Sequence, residues 1–379
     1  MVQIPLLPAL AALVFTSSLS HAQQVISSGG ADPDGTQAAA PCNNSPDLCS
    51  RAYNNVTHMG AHDSAFLRDA STGNSLAGNQ FYNATVALSA GIRLLQAQVH
   101  NSNGVLELCH TTCDLLDAGS LQDWLGKIKF WLDNNNPNEV ITILLVNSDN
   151  EPASKFGDAF VGSGISSYGF VPPTNGTGTD TNGTWPSLQA MINTNKRLVT
   201  FIASIDTDEN HPYLLSEFDH VFETPYEITS PSQFGCDLDR PESAGDSAQA
   251  VKDGMMPLLN HFMYINLTSD VMLPNVNAID DTNSPATTGG DGALGRHGKL
   301  CEDTWGGVKP VFMLVDFFDR GPAVEGADVL NGIQGEATGR TAPRDSAGAT
   351  SAAAADRTRR RGGGVVALVM FLGFALFAI

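Results

Sequence analysis

The run Glu139–Val146, Glu-Val-Ile-Thr-Ile-Leu-Leu-Val, is apolar at nearly every position and shows no polar residue at every second place. A strand with one wet face alternates, so this one reads as buried on both faces, the situation of a parallel sheet covered by helices. Arg197–Ile205 repeats the type, and Val56–Ala61, Gly91–Val99, Val105–Cys109, His220–Thr224, Phe262–Asn266 and Lys309–Asp316 bring the candidate strands to eight. Ser120 is placed to cap a helix carrying Leu121, Trp124, Leu125, Ile128 and Trp131 at helical spacing, ended by Asn134-Asn135-Asn136-Pro137. Glu325–Ile333 can close the domain as a further helix. Eight strands with several helix-length connections, over roughly 285 residues, are what an α/β fold of the TIM (β/α)8 barrel type requires. An open doubly wound sheet is the alternative, because periodicity does not report closure.

Composition agrees with a large core and removes one class of partner. Among 379 residues, 42% are hydrophobic and 16% charged, too little charge for a disordered chain. The net charge of -20, with no basic patch before the tail, argues against nucleic acid and reads as solubilising surface charge. No nucleic-acid partner is expected, and the chain reads as a monomer.

Both ends carry processing signals. Pro5–Ser17 is an apolar run and Ser20-His21-Ala22 offers small residues for cleavage, so residues 1–22 read as a signal peptide with a weak n-region. Residues 23–49 follow as a flexible leader with a cysteine pair, and 50–335 as the barrel. Residues 336–364 form a low-complexity spacer, and 365–379 are an apolar tail of roughly 22 Å as a helix, short for a bilayer core of about 30 Å. Small residues at Ser351, Ala352 and Ala353, an arginine-containing spacer and that tail follow the order of a glycosylphosphatidylinositol (GPI) attachment signal, with Ser351 as candidate. A C-terminal membrane helix is the competing reading. Sequons at Asn43, Asn55, Asn83, Asn175, Asn182 and Asn266 point the same way, to the secretory pathway and the cell surface or wall. Six cysteines are then expected as disulfides; proximity favours Cys42 with Cys49 and Cys109 with Cys113, leaving Cys236 for Cys301.

Barrels carry their chemistry at the C-terminal ends of their strands. The polar residues fall there: His62 and Asp63 after the first run, Gln96, Gln98 and His100 along the second, and His110 after the third. Asn147 and Asp149 follow the fourth, and Asp316 ends the last. Two imidazoles can divide acid and base work, since a histidine near its ordinary pKa both takes and gives a proton. An isolated His-Asp pair, by contrast, is usually structural.

The surrounding pattern goes further. Gly60-Ala61-His62-Asp63-Ser64, Gly91-Ile92-Arg93-Leu94-Leu95, Leu108-Cys109-His110, the tryptophan-rich helix ending in Asn-Pro-Asn-Glu, and Val315-Asp316-Phe317 resemble the X region of phosphatidylinositol-specific phospholipase C. The look is closest to secreted fungal PLC-like phosphodiesterases and covers most of Ser50 to Ile333. The resemblance implies a distorted TIM barrel cleaving a phosphodiester or lipid head group in two proton-transfer steps. It makes His62 the base, served by Asp316, and His110 the acid, served by Asp63. The chain departs from the family at Gln96 and Gln98, where charged residues stand in the enzymes, and at Asn147, where the calcium-dependent ones have Glu. Gln96, Gln98, His100 and Asn147 are the remaining charge-stabilising candidates, while Arg93 falls on the opposite face of its strand. Amide carbonyls alone make a poor calcium site, so no metal or other cofactor is expected. The alternative to an enzyme is a catalytically silent barrel that binds a head group or glycan or serves in the cell wall.

Overall fold

In the computed structural model, residues 40–134, 136–173, 185–268 and 271–343 are described. The signal peptide, most of the leader, the sequons at Asn175 and Asn182, Ser351 and the apolar tail lie outside them. Among the described residues no helix is long and apolar enough to cross a membrane.

The strands are β1 (His58–Ala61), β2 (Leu94–Ser102), β3 (Val105–Cys109), β4 (Asp117–Ser120), β5 (Ile141–Asn147) and β6 (Leu198–Ala203). They continue as β7 (Leu214–Ser216), β8 (Val221–Glu223), β9 (Met256–Asn260), β10 (Tyr264–Thr268), β11 (Val271–Pro274) and β12 (Phe312–Val315). Eight of them pair in parallel in the order β7-β6-β5-β2-β1-β12-β9-β8. Followed around, each stave from β1 to β7 and from β8 to β12 pairs with the next stave in the chain, and the last, β12, returns to the first. This is a curled α/β barrel and not a doubly wound sheet. Its distortion is a seam: β7 and β8, joined through the turn Glu217–Asp219, share no ladder.

Side-chain alternation sorts the core into two layers. Leu94, Leu144, Phe201, Leu258, Phe312 and Leu314 fill the barrel, with Tyr53 and Trp185 in the same cluster. Leu95, Ile143, Leu145, Met313 and Val315 face the other way, onto helices such as Leu121–Asp133 and Ala153–Ser163. The first of these begins where its spacing predicts, with the Ser120 hydroxyl accepting the Asp123 N–H at 3.2 Å.

Two expected staves are not staves. Val105–Cys109 is β3, which turns back antiparallel on the end of β2 through Asn103-Gly104, both in the left-handed region (φ 53° and 90°). Asn-Gly is the strongest short hairpin signal in a sequence, and it outweighs the apolar character of the run. Phe262–Asn266 runs into the separate β10–β11 hairpin; the stave is Met256–Asn260, just before it. The three-residue stave β7 is too short for a periodic signal.

The domain extends past both expected boundaries. Cys42–Cys49 is packed against the body: the Asn43 side chain donates to Val140 O (3.0 Å) and accepts from Val140 N–H (2.7 Å). That buried amide is incompatible with a glycan, so Asn43 is not a usable sequon, while Asn55, Asn83 and Asn266 are exposed. The spacer likewise begins later than 336, because Thr338, Arg340 and Thr341 all bond to the body. The disulfides are Cys42–Cys49, Cys109–Cys113 and Cys236–Cys301, the pairs that proximity favours.

At the N-terminal end of the staves Arg93 is nearly fully buried. It donates to Glu139 (2.8 Å), Leu88 O, Ile92 O and Asn44 Oδ1 (each 2.7 Å), using the whole fork of the guanidinium. Arg93→Ala strands the Glu139 carboxylate and should cost about 3–5 kcal/mol. Urea unfolding should show this as a lower midpoint at unchanged slope, and a loss below about 1 kcal/mol would contradict the assignment.

Candidate active site

The ladder between β1 and β12 sets the first half of the site. With Ala61 opposite Val315, the next residues, His62 and Asp316, leave the two strands side by side, and His62 N–H donates to Val315 O at 2.9 Å. His62 Nδ1 lies 2.9 Å from Asp316 Oδ1, which also accepts from Asn79 Nδ2 at 3.0 Å. The carboxylate therefore fixes the tautomer with Nδ1 protonated and leaves Nε2 as the basic nitrogen. Phe262 stacks on the imidazole with centroids 3.7 Å apart and planes 8° from parallel.

Asp63 does not follow strand alternation. Its φ is 45°, so the chain turns at the end of β1 and brings its carboxylate round beside its neighbour. The turn is held by Gln96 Oε1, which accepts the Asp63 N–H at 2.6 Å. Asp63 Oδ2 then lies 3.6 Å from His62 Nε2 and 3.4 Å from His110 Nε2, which puts the two nitrogens no more than about 7 Å apart. Asp63 thus faces both imidazoles, not His110 alone as the resemblance implies. His110 itself stands on a loop tied by Cys109–Cys113, with its N–H on Leu116 O (3.0 Å) and the edge of Phe66 against its ring (5.2 Å).

Charge at this point is governed by burial and by pairing. Burial alone would lower the His62 pKa, but Asp63 and Asp316 beside it outweigh burial and hold it above the ordinary value. Burial takes the other deeply buried histidines the opposite way, His58 to about 4, His261 to about 3 and His297 to about 4, since none of them has a carboxylate against it. The Asp63 carboxyl is pushed up by burial and by Asp316, against the pull of the two histidines and of Gln98. Burial, with Asp316 and Asp63 adding to it, likewise keeps the Tyr264 phenol protonated. Asp63 Oδ1 and Asp316 Oδ2 are buried and accept no hydrogen bond from the described residues.

The charge-stabilising candidates are each tied to neighbouring residues. Gln98 donates to Asp63 Oδ2 (3.2 Å) and accepts the Thr111 N–H (3.0 Å), so it joins the two histidine loops. Asn147 spends its amide on Glu151 O, Ser204 O and Glu151 N–H, which pins the loop after β5. His100 is held by Asp149 at 3.2 Å and does not pair with Asp63 or Asp316. Arg93 lies on the outward face, as alternation requires. Sequence reasoning missed Asn79, Gln80, Phe262 and Tyr264. Gln80 donates to His62 O (2.7 Å) and Val315 O (3.1 Å), clamping the two strand ends together. The one signal for this loop is a pair of adjacent amides between Gly78 and Phe81, with no period to single them out.

Among the described residues the one close group of three metal-ligating side chains is Cys236, His297 and Cys301. Its two sulfurs are bonded to each other, which removes the thiolates that zinc takes. A cleft of about 630 Å³ between the helices Ala84–Ala90 and Leu121–Asp133 is lined by Phe81, Phe130 and Trp131 and includes neither His62 nor His110.

Comparison with known proteins gives the same picture from outside. The PI-PLC X 1 family model matches residues 48–331. A protein of Arthroderma benhamiae named PI-PLC X domain-containing protein 1 is 37% identical over 294 residues, covering 77% of this chain and 90% of the relative. An uncharacterized secreted protein of the same fungus is 33% identical over 313 residues, covering 79% and 66%. The solved phosphatidylinositol-specific phospholipase C of Listeria monocytogenes has the same fold at 16% identity and a TM-score of 0.50, covering 76% of this chain and 98% of its own. The motif at His62, the barrel closed by β12 on β1 and this match over three quarters of the sequence agree, and the chain belongs to the PI-PLC X family.

Proposed function

We propose that the protein is an extracellular phosphoric diester hydrolase working by two-histidine acid/base catalysis on a phosphoinositol or related diester with a neighbouring hydroxyl. The observation that carries this is the line Asp316–His62–Asp63–His110, in which each imidazole has a carboxylate against it and the Nε2 atoms of both lie within 3.6 Å of Asp63 Oδ2. Neutral His62 takes the proton from the hydroxyl next to the phosphate. The oxygen so formed attacks phosphorus while His110 gives its proton to the departing alkoxide, and a cyclic diester and an alcohol result. Water then enters with the roles reversed, returning both histidines to their starting state. Asp63 lies against whichever ring holds the positive charge, and Asp316 keeps His62 in the right tautomer.

Family membership and the secreted relative support a phosphodiesterase-like activity outside the cell. The GPI reading rests on Ser351, the spacer and the apolar tail, and a chain ended at Pro343 should appear in the medium instead of on the cell. A second reading, a silent head-group binder, is favoured by one observation: Gln96 and Gln98 are neutral amides tied to Asp63 and Thr111, with no charged donor at either position to meet a phosphorane. Loss of one such donor typically costs a hundred- to a thousandfold, about 3 to 4 kcal/mol, so slow turnover is expected of the enzyme.

His62→Ala and His110→Ala should each lower turnover of a soluble inositol phosphodiester by about a hundred- to ten-thousandfold. Wild-type protein that binds the diester without any turnover establishes the silent reading instead.

A pH profile gives a second check. His62 must be neutral to act as base, and its raised pKa puts the acid limb of kcat/KM above 6.5, with activity lost as pH falls through it. Asp316→Asn removes a charge that raises this pKa, so the limb should move to lower pH while the rate drops. A limb that stays in place would assign it to another group.

A further inference from the structure

Phe81 and Phe130 stand in the walls of the cleft between the helices Ala84–Ala90 and Leu121–Asp133, with the edge of Trp131 between them and the first helix. Phe130 is 68% exposed, the one exposed phenylalanine, tyrosine or tryptophan among the described residues. A single exposed ring is ordinary in itself. Here a second feature opens into the same space. Asn83 lines the cleft and begins the sequon Asn83-Ala84-Thr85. As the cap of the first helix its Oδ1 accepts the Val86 N–H (3.1 Å) and the Thr85 hydroxyl (2.8 Å). Both bonds use the oxygen, so the cap does not need Nδ2, the atom that takes a sugar. Asn43 is the opposite case, because its amide nitrogen donates to Val140 O. The two helices are already fixed to each other: Trp131 Nε1 donates to Ser89 Oγ (2.9 Å), and that hydroxyl donates to Thr85 O (2.8 Å). The volume, about 630 Å³, lies within the range of about 300 to 1,000 Å³ that small-molecule sites occupy.

We propose that Asn83 carries an N-glycan whose first N-acetylglucosamine is packed in this cleft against Phe81 and Phe130, a fixed part of the fold instead of a free surface chain. The inference rests on the extracellular reading above. The covalent step is that of any secretory sequon. Nδ2 forms a bond to C1 of an N-acetylglucosamine carried on a lipid diphosphate, the C1–O bond breaks, the diphosphate leaves with the electron pair, and the amide gives up one proton. Oδ1 is untouched, so the helix cap survives the modification. The sugar suits the space because one face of its ring is a set of C–H bonds and its acetamide ends in a methyl group. These meet the negative faces of aromatic rings, while the hydroxyls find water or Asp69 and Asn134 in the cleft wall. Phe81 also packs against Phe317, with centroids 4.6 Å apart, and directly follows Gln80. The sugar thus backs the segment whose Asn79 holds Asp316 and whose Gln80 holds both strand ends.

The full chain is secreted from a host that adds high-mannose glycans, and the native protein is digested with an endoglycosidase that cuts between the first two N-acetylglucosamines. Glycopeptide mass spectrometry follows each sequon. Cutting should be about tenfold slower at Asn83 than at the exposed Asn55 and Asn266. Phe130→Ala, at a site exposed enough to leave folding intact, should raise the rate at Asn83 to that of the other two. Thr85→Val deletes the sequon and keeps the Asn83 cap. It should lower the thermal midpoint by about 2 °C more in the wild type than in combination with Phe130→Ala. A bare Asn83 beside occupied Asn55 and Asn266, equal cutting at all three, or the same effect of Thr85→Val in both backgrounds overturns the inference. Protection at Asn83 that survives Phe130→Ala, or that a chain ended at Pro343 loses, gives the cleft to the residues after 343 and overturns it as well. If no sequon is occupied, the extracellular reading falls and the inference with it. None of these measurements needs turnover, so protection at Asn83 in a protein without activity supports the inference and counts against the phosphodiesterase reading alone.

Discussion

β12 lies against β1 with His58 opposite Phe312 and Ala61 opposite Val315, and this one ladder joins the two ends of a domain that runs from residue 40 to residue 343. It closes the barrel and places Asp316 beside His62 in the same step, so the fold cannot form correctly without assembling half of the site. The loop that carries Asn79 and Gln80 locks the arrangement. Gln80 bonds to the carbonyls of both strand ends, and Asn79 to the Asp316 carboxylate. Opposite this ladder the barrel is unlaced between β7 and β8, where the buried Glu217 carboxyl is pushed well up by its burial and by Glu223 against it. The sheet is thus continuous through the strands that carry the chemistry and open between β7 and β8.

Burying two carboxylates and two imidazoles in one place is costly unless every charge has a partner. The structure meets that demand by alternation: carboxylate, imidazole, carboxylate, imidazole, with amides at the margins. This explains why Gln96 and Gln98 suit the site without supplying charge. One holds the left-handed turn that brings Asp63 round, the other bridges Asp63 to the loop of His110. A positive group at either position would compete for Asp63. At these two positions the arrangement serves proton transfer and supplies no positive charge, which fits the slow turnover proposed above.

Much of this was legible in the residues, and the losses have physical causes. The buried staves β5 and β6 announced themselves because both faces are apolar, and the four residues of the acid/base line could be named because a resemblance supplied what spacing does not. Eight staves were expected and eight are present, yet two differ. Apolar content makes β3 and the run from Phe262 look like staves, while the Asn103-Gly104 turn sends β3 back on β2, and three-residue β7 has no period to detect. Strand alternation placed Gln96, Gln98 and Arg93 on their correct faces. It failed at Asp63, since a single residue at φ 45° reverses the side on which a carboxylate appears. The roles of Asn43, Asn79 and Asn147 depend on partners as distant as 237 residues along the chain, and no local pattern encodes them.

The central claim is that two histidines pass a proton in and a proton out, and it has a direct chemical signature. Phosphorus NMR of a soluble inositol phosphodiester during turnover should show the cyclic diester rising first and the monoester only afterwards. A monoester formed from the start, with no cyclic species at any time, would mean that water attacks directly and that the line Asp316–His62–Asp63–His110 does not work as proposed.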